Sequence, residues 1–475
     1  MKLSIFILAF LAFPLLAVQE GIYIQFQEAE QESQKQDPIE DSYQNLLLKR
    51  IEAPSEEKEM TLQQRIANYF GTFVTSSPYP GVRATFEGTE LMASLSNVNK
   101  DLQILLELAE STKYMQEKGI PFPINPRIFL SGEIEFTGFV QKDARGRAQS
   151  DLDITDAEVD FLIVVAPWLY GFIGLEYDNS VDSALSSSRI ASSRFHADSL
   201  FITFGDFSKE SWYGTLGQTY VPYGQYTTYA AVHNPLTRVL FRTLARDITL
   251  GFFNDTVQFA AFVFKGDSHA DSGNNINNYG VNLGFHFNVK KLDCKLAVGA
   301  VRNIADSTGM QEAFGDPSNT EKLRHIVPGL NANGNFSIGD WTLLCEYNQT
   351  LRPFNPNDAA FSTNGTSFKG AKPIAFDTEL AYAFKIAAMP SSLALGYSRS
   401  YEALAFNVPK ERITLTWATY VFRGNLLSVE LNSDKLYDKK NRAAGNVVTG
   451  LPYFINPRNL GHRDYTLSID YLLYF

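Results

Sequence analysis

The chain has 475 residues, 45% of them hydrophobic, with a formal net charge of -11 and a mean hydropathy of -0.14. The acidic balance leaves no basic face dense enough for nucleic acid, and 2 cysteines cannot build a disulfide framework or a zinc site. No run of about 20 apolar residues follows the N-terminus, which excludes a helical membrane protein but not a barrel, where lipid-facing and lumen-facing residues alternate.

In chain order, Met1-Lys2, the apolar run Leu3–Leu16 and Ala17 read as a signal peptide over residues 1–17, so the mature chain is expected outside the cytoplasm. Residues 18–90 form a polar segment, rich in Gln and Glu at 27–36, too poor in apolar groups to pack a core. The period then changes. Leu91, Leu95, Val98, Leu102, Leu105, Ala109 and Thr112 alternate spacings of four and three, the seam of an α-helical coiled coil over 91–118. Such a seam accepts either further copies of the same helix, giving a homo-oligomer, or the base of a neighbouring domain. Gly119, Pro121, Pro123 and Pro126 end the helix and make 119–126 a Pro-rich linker.

From Arg127 to Phe475 the pattern alternates at period two. Ile128, Leu130, Ile134 and Phe136 share one face and Ser131, Glu133 and Glu135 the other. Val159, Phe161 and Ile163 oppose Glu158 and Asp160, and Ile173 and Leu175 oppose Glu176. Further segments centre on Ile202, Leu216, Leu250, Phe259, Leu283, Leu296, Ala332, Leu343, Leu380, Leu395, Leu415 and Val429. The last, Arg463–Phe475, ends on an aromatic. That makes about 16 antiparallel strands of an all-β transmembrane barrel. Tight turns such as Gly339-Asp340 alternate with long polar loops such as Val181–Asp198, Tyr223–Thr243 and Tyr437–His462, as expected when all turns face the periplasm and all loops face outside. Trp168, Trp212 and Trp341 fall at turn ends, where an interfacial aromatic belt belongs. Cys294 and Cys345 are outward on strands two apart, beyond the roughly 7 Å between Cα atoms that a disulfide tolerates.

A barrel of this size encloses an aqueous channel unless something fills it. Too little sequence precedes the first strand for a globular plug domain, so obstruction is expected from loops. Tyr220–Asp247 is too apolar and aromatic to be a purely solvated loop, and it carries Arg238, Arg242 and Arg246 at helical spacing. The inward faces of the first three strands carry Glu133, Glu135, Glu158, Asp160 and Glu176. The expectation is a loop folded inside that sets its arginines against this acidic wall, making a constriction of opposed charge; the alternative is carboxylates that are hydrated or shared with Arg412 and Lys385. Lys435, Lys439, Lys440 and Arg442 suit phosphates of outer-leaflet lipopolysaccharide. No catalytic set is expected: the six histidines are scattered, and sequence places no acid or Ser beside His286. No cofactor or metal is implied.

The order of signal peptide, coiled coil, Pro linker and sixteen strands resembles the legiobactin-receptor (LbtU-type) siderophore porins. The resemblance rests on Phe129–Phe139, Asp151–Phe161 and Leu216–Val232, which contains Gly-Gln-Thr-Tyr-Val-Pro-Tyr-Gly. It implies uptake of a ferric siderophore across the outer membrane without a TonB plug, and a last strand read by the barrel assembly machinery. A general, sugar- or phosphate-selective porin, or a structural or adhesive barrel, has the same architecture. Single-channel conductance separates them.

Overall fold

The computed structural model describes residues 72–75, 98–117, 119, 126–143, 146–178, 194–266, 275–314, 323–386, 389–422, 425–445 and 460–474. The signal peptide, most of the polar segment, the first heptad of the helix and most of the linker lie outside them.

The barrel strands are β1 (Arg127–Lys142), β2 (Ala148–Ala166), β3 (Leu169–Asp178), β4 (Arg194–Gly205), β5 (Trp212–Tyr220), β6 (Leu244–Phe253), β7 (Val257–Phe264), β8 (Asn278–Val289), β9 (Leu292–Val301), β10 (Gly329–Ile338), β11 (Trp341–Thr350), β12 (Ile374–Ile386), β13 (Met389–Tyr401), β14 (Glu411–Phe422), β15 (Asn425–Lys435) and β16 (Arg463–Tyr474). Each pairs antiparallel with its neighbours in sequence, and β16 closes onto β1, from Glu133 opposite Tyr474 to Lys142 opposite Tyr465. All sixteen segments expected from the alternation are strands. The short strand Thr72–Thr75 runs parallel to Arg127–Leu130. It occupies the stretch of β1 that β16 does not reach, pairing an edge that would otherwise stay open.

The outward phase is apolar. Leu216, Leu250, Val298, Leu395, Leu431 and Ile469 are all exposed, forming a belt far larger than the few hundred Å² of contiguous apolar surface that water-soluble proteins tolerate. Trp168, Trp212 and Trp341 stand exposed at the turn end of this belt, with Trp341 tilted against Tyr382 at 4.7 Å and Trp212 against Phe252 at 5.1 Å. Cys294 and Cys345 are free thiols, separated by β10, which pairs with both their strands.

Helix α1 (Lys100–Glu117) does not meet a second helix along its described seam. Leu102, Ile104, Leu105 and Leu108 are buried with Leu162, Val164, Tyr170, Phe172, Phe201 and Tyr213, inner-face residues near the turn ends of β2–β5. The helix therefore lies inside the barrel at the turn end. Of the two partners the seam could take, Leu102 and Leu105 meet the barrel's own wall, while Val98 joins the buried cluster of the loops; against expectation, obstruction of the lumen is not left to loops alone. A stripe of leucines at heptad spacing serves a partner helix or a concave sheet equally well, since both offer apolar area to bury at about 1.5–3 kcal/mol per side chain.

The loop ends carry their own core. The loops after β5, β9, β11, β13 and β15 contribute Tyr223, Leu240, Met310, Phe354, Phe406 and Tyr437 to one buried cluster, in which Phe354 lies 5.6 Å from both Phe314 and Phe406. Above it Ala360–Ser362 pairs with Lys369–Gly370 and Arg442–Ala444 in a small separate sheet.

Candidate functional site

Residues 221–243 leave β5, cross the lumen and run along the wall opposite β1–β4. Three inward carboxylates hold the segment by its backbone. Glu346 on β11 accepts the N–H groups of Gln225 and Tyr226 at 3.1 and 2.7 Å. Glu379 on β12 accepts the Tyr229 N–H at 3.1 Å and the Thr228 hydroxyl at 2.9 Å. Glu430 on β15 accepts the N–H groups of Ala231, Val232 and His233 and also bonds His233 Nδ1 at 2.6 Å. Arg412 on β14 donates to the Asn234 carbonyl at 2.6 Å and is itself held by Asp434. Each carboxylate is nearly fully buried, which is tolerable because its lone pairs meet several donors.

Local sequence makes this path possible. At Gly224, φ is +84° and a Cβ would stand 2.7 Å from Glu346 Oε1, so only glycine lets the chain turn this close to its anchor. Tyr223 and Tyr226 are fully buried. Pro235 precedes helix α2 (Leu236–Phe241), which packs on α3 (Thr308–Phe314). There Gly309 comes so close to the Val239 carbonyl that a Cβ would lie 1.9 Å from it.

The opposite wall is acidic, and its register concentrates the charge. Glu133, Glu158, Glu176 and His196 are successive partners across β1, β2, β3 and β4. Like charges directly opposite one another on neighbouring strands repel, so this rung needs compensation. Lys100, at the start of α1, supplies part of it, 3.2 Å from Glu158 and 3.7 Å from Asp160 and 4.6 Å above the Phe172 ring. Burial alone would push its pKa down; the two carboxylates more than offset that, and it lies above the ordinary lysine value. Asp101 accepts from Thr215 at 2.6 Å, which fixes the depth of the helix.

Between the wall and the loop is a polar cavity of about 260 Å³ whose lining includes Glu135, Asp156, Glu158, Glu176, Arg238 and Arg242. Arg242 also lies 4.2 Å over the Tyr220 ring. Of the residues singled out from sequence, the structure brings Arg238 and Arg242 to the same cavity as Glu135, Glu158 and Glu176. Glu133 and Asp160 are not among its lining; both are buried on the same inward faces, Glu133 opposite Glu158 and Asp160 3.7 Å from Lys100. Arg246 lies elsewhere: the helical spacing ends at Phe241, and Arg246 is exposed on β6, reaching Gln218 at 3.5 Å. Sequence reading missed the three anchors, which share their inward faces with other polar residues such as Asp377 and Asn432. It also missed Asp293, which lies across a turn from His286 at 2.6 Å.

No family model matches the sequence. A UPF0422 protein of Coxiella burnetii is 28% identical over 418 residues, covering 87% of this chain and 86% of that protein. A UPF0422 protein of Legionella pneumophila (strain Paris) is 29% identical over 404 residues, 82% of this chain and 74% of its own length. Among solved structures, an anion-selective porin from Comamonas acidovorans superposes with a TM-score of 0.48 at 12% identity, covering 74% of this chain and 100% of that one. The outer membrane channel DcaP of Acinetobacter baumannii gives 0.47 at 11%, with 74% and 97% covered.

Proposed function

We propose that the protein is a porin-like channel of the outer membrane that passes a small solute between the acidic wall of β1–β4 and the inward loop. The observation that carries this reading is the loop itself. It is hung by backbone N–H groups from Glu346, Glu379 and Glu430 and presents Arg238 and Arg242 to the carboxylates across a polar cavity. Opposed charges in a confined, low-dielectric passage act strongly on a passing ion. In this reading lipid covers the apolar belt, the assembly machinery reads β16, and the exposed Lys439, Lys440 and Arg442 meet lipopolysaccharide phosphates. Lys435 is engaged with Glu411 at 3.4 Å.

The solute we favour is a ferric siderophore, on the resemblance drawn from sequence. Binding sites for drug-sized molecules occupy roughly 300–1,000 Å³, so a chelate of that size needs α1 or the loop to move. Single-channel conductance of the purified protein, titrated with ferric and iron-free siderophore, tests the assignment. Block by the ferric form alone supports it. Conductance indifferent to siderophore leaves a general porin, and no conductance at all leaves a structural barrel.

The paired replacement Arg238→Ala and Arg242→Ala should move the reversal potential in a salt gradient toward cation selectivity, because it strips two positive groups from the cavity and leaves its carboxylates. Arg246→Ala should leave the reversal potential where it is. Equal shifts from both variants would overturn the placement of charge at the constriction.

A further inference from the structure

We propose that Glu176, His196 and Asp198 form a binding site for a divalent transition-metal ion on the inner wall, near the loop ends of β3 and β4. One ligand atom from each residue lies within 4.8 Å of the others. Glu176 and His196 are direct cross-strand partners. Their facing atoms, Oε2 and Nε2, are 3.8 Å apart, too far for a hydrogen bond. A tetrahedral ion with bonds of about 2.0–2.2 Å sets two ligands about 3.3–3.6 Å apart, so a small closure of this gap brings both atoms onto one ion.

Asp198 joins them through a β-bulge. The register between β3 and β4 passes from Gly174 opposite Ser199 to Leu175 opposite Ala197, so Asp198 is the extra residue, and such insertions re-aim side chains beside functional sites. Asp198 is 3% exposed, and its carboxylate is oriented by the Tyr220 and Ser199 hydroxyls, each at 3.0 Å. Groups that orient a ligand in this way are what metal sites use to fix geometry.

A second, independent feature points to a cation. Glu133, on the same rung, is 2% exposed, and its Oε1 has no hydrogen-bond partner. His196 Nδ1 also has none. The rung thus sets three carboxylates side by side, with Lys100 bonded to Glu158 and Arg242 on the cavity that Glu176 lines. An ion held by Glu176, His196 and Asp198 supplies the remaining charge at the loop end of the row. Two carboxylates and an imidazole suit Mn²⁺, Fe²⁺, Co²⁺ or Zn²⁺, whereas the absence of thiolate disfavours Cu⁺.

The site does not depend on the channel reading, because it is tested without conductance. The full chain, purified in detergent and stripped with chelator, is titrated with Zn²⁺ by calorimetry and with Co²⁺ by visible absorption. One ion per chain is expected, with Glu176→Gln and His196→Gln each weakening binding tenfold or more while the barrel keeps its heat-modifiable mobility. Anomalous diffraction at the zinc edge should place the ion between the three side chains. Wild-type affinity in both variants, no binding by the parent chain, or an anomalous peak elsewhere overturns the proposal.

Discussion

A chain lacking Val98–Glu117 should conduct several times more current per channel than the full chain, with the same barrel around it. The helix buries its apolar face on the barrel wall without serving the sheet. Leu102, Ile104, Leu105 and Leu108 are buried on inner-wall residues of β2–β5, whereas none of the sixteen strands uses α1 to complete its hydrogen bonding. Removing the helix therefore opens the turn end without unpairing the sheet. A single change offers a milder form of the same test. Lys100→Ala leaves Glu158 and Asp160 buried without the charge that faces them from α1, and breaking a buried pair from one side costs about 3–5 kcal/mol. That is comparable with the burial of one or two leucines, so the point variant should flicker between low and high conductance. Single-channel amplitudes in a planar bilayer decide the matter. Identical amplitudes for the deletion and the full chain would show that the helix does not obstruct the path.

How much of this was legible in the sequence differs from element to element, for physical reasons. The strands were readable because a barrel wall imposes period two on every segment, and sixteen repetitions leave little room for chance. The inward course of 221–243 was readable from its tyrosines and from Arg238 and Arg242, which a solvated loop has no reason to carry together. The wall that holds the loop was not readable, because Glu346, Glu379 and Glu430 are indistinguishable in sequence from any other inward polar residue; what matters is the backbone N–H groups they meet. The target of α1 was hidden by an ambiguity of pattern, since its heptad stripe fits a second helix and a sheet alike. The inner phase of β2 and β3 did carry a clue. It changes from Asp160 and Glu176 to Leu162, Val164, Tyr170 and Phe172 toward the turn end, and an apolar lining inside a water-filled barrel calls for a cover. Asp198 and His196 were concealed by a boundary: extending the loop from Val181 to Asp198 took the start of β4, which begins at Arg194, out of the wall.

Replacing Glu346, Glu379 and Glu430 together by Ala should free the loop, whereas replacing all three by Gln should largely keep it in place. Both variants remove three negative charges, so the difference between them isolates the hydrogen bonds. A Gln amide oxygen still accepts from the N–H groups of Tyr226, Tyr229 and Ala231, while Ala leaves those donors inside the lumen with nothing to meet. Hydrogen bonds to a charged acceptor contribute about 1.5–3 kcal/mol each and orphaned buried donors cost about 1–3 kcal/mol; because one loop shares all three anchors, the losses will not simply add. The apolar contacts of Tyr223, Leu236, Leu240 and Phe241 oppose release, which is why a single Ala replacement should have little effect. Two readouts follow. Trypsin should cut after Arg238 or Arg242 in the Ala variant and leave those two bonds uncut in the parent, since Arg238 is only 5% exposed. Open-channel noise should rise in the Ala variant alone, because a loop that samples several positions modulates the passage while a suspended one does not. If the Ala and Gln variants behave alike in both assays, the loop is held by its apolar packing, and the three carboxylates matter only for the field they set across the lumen.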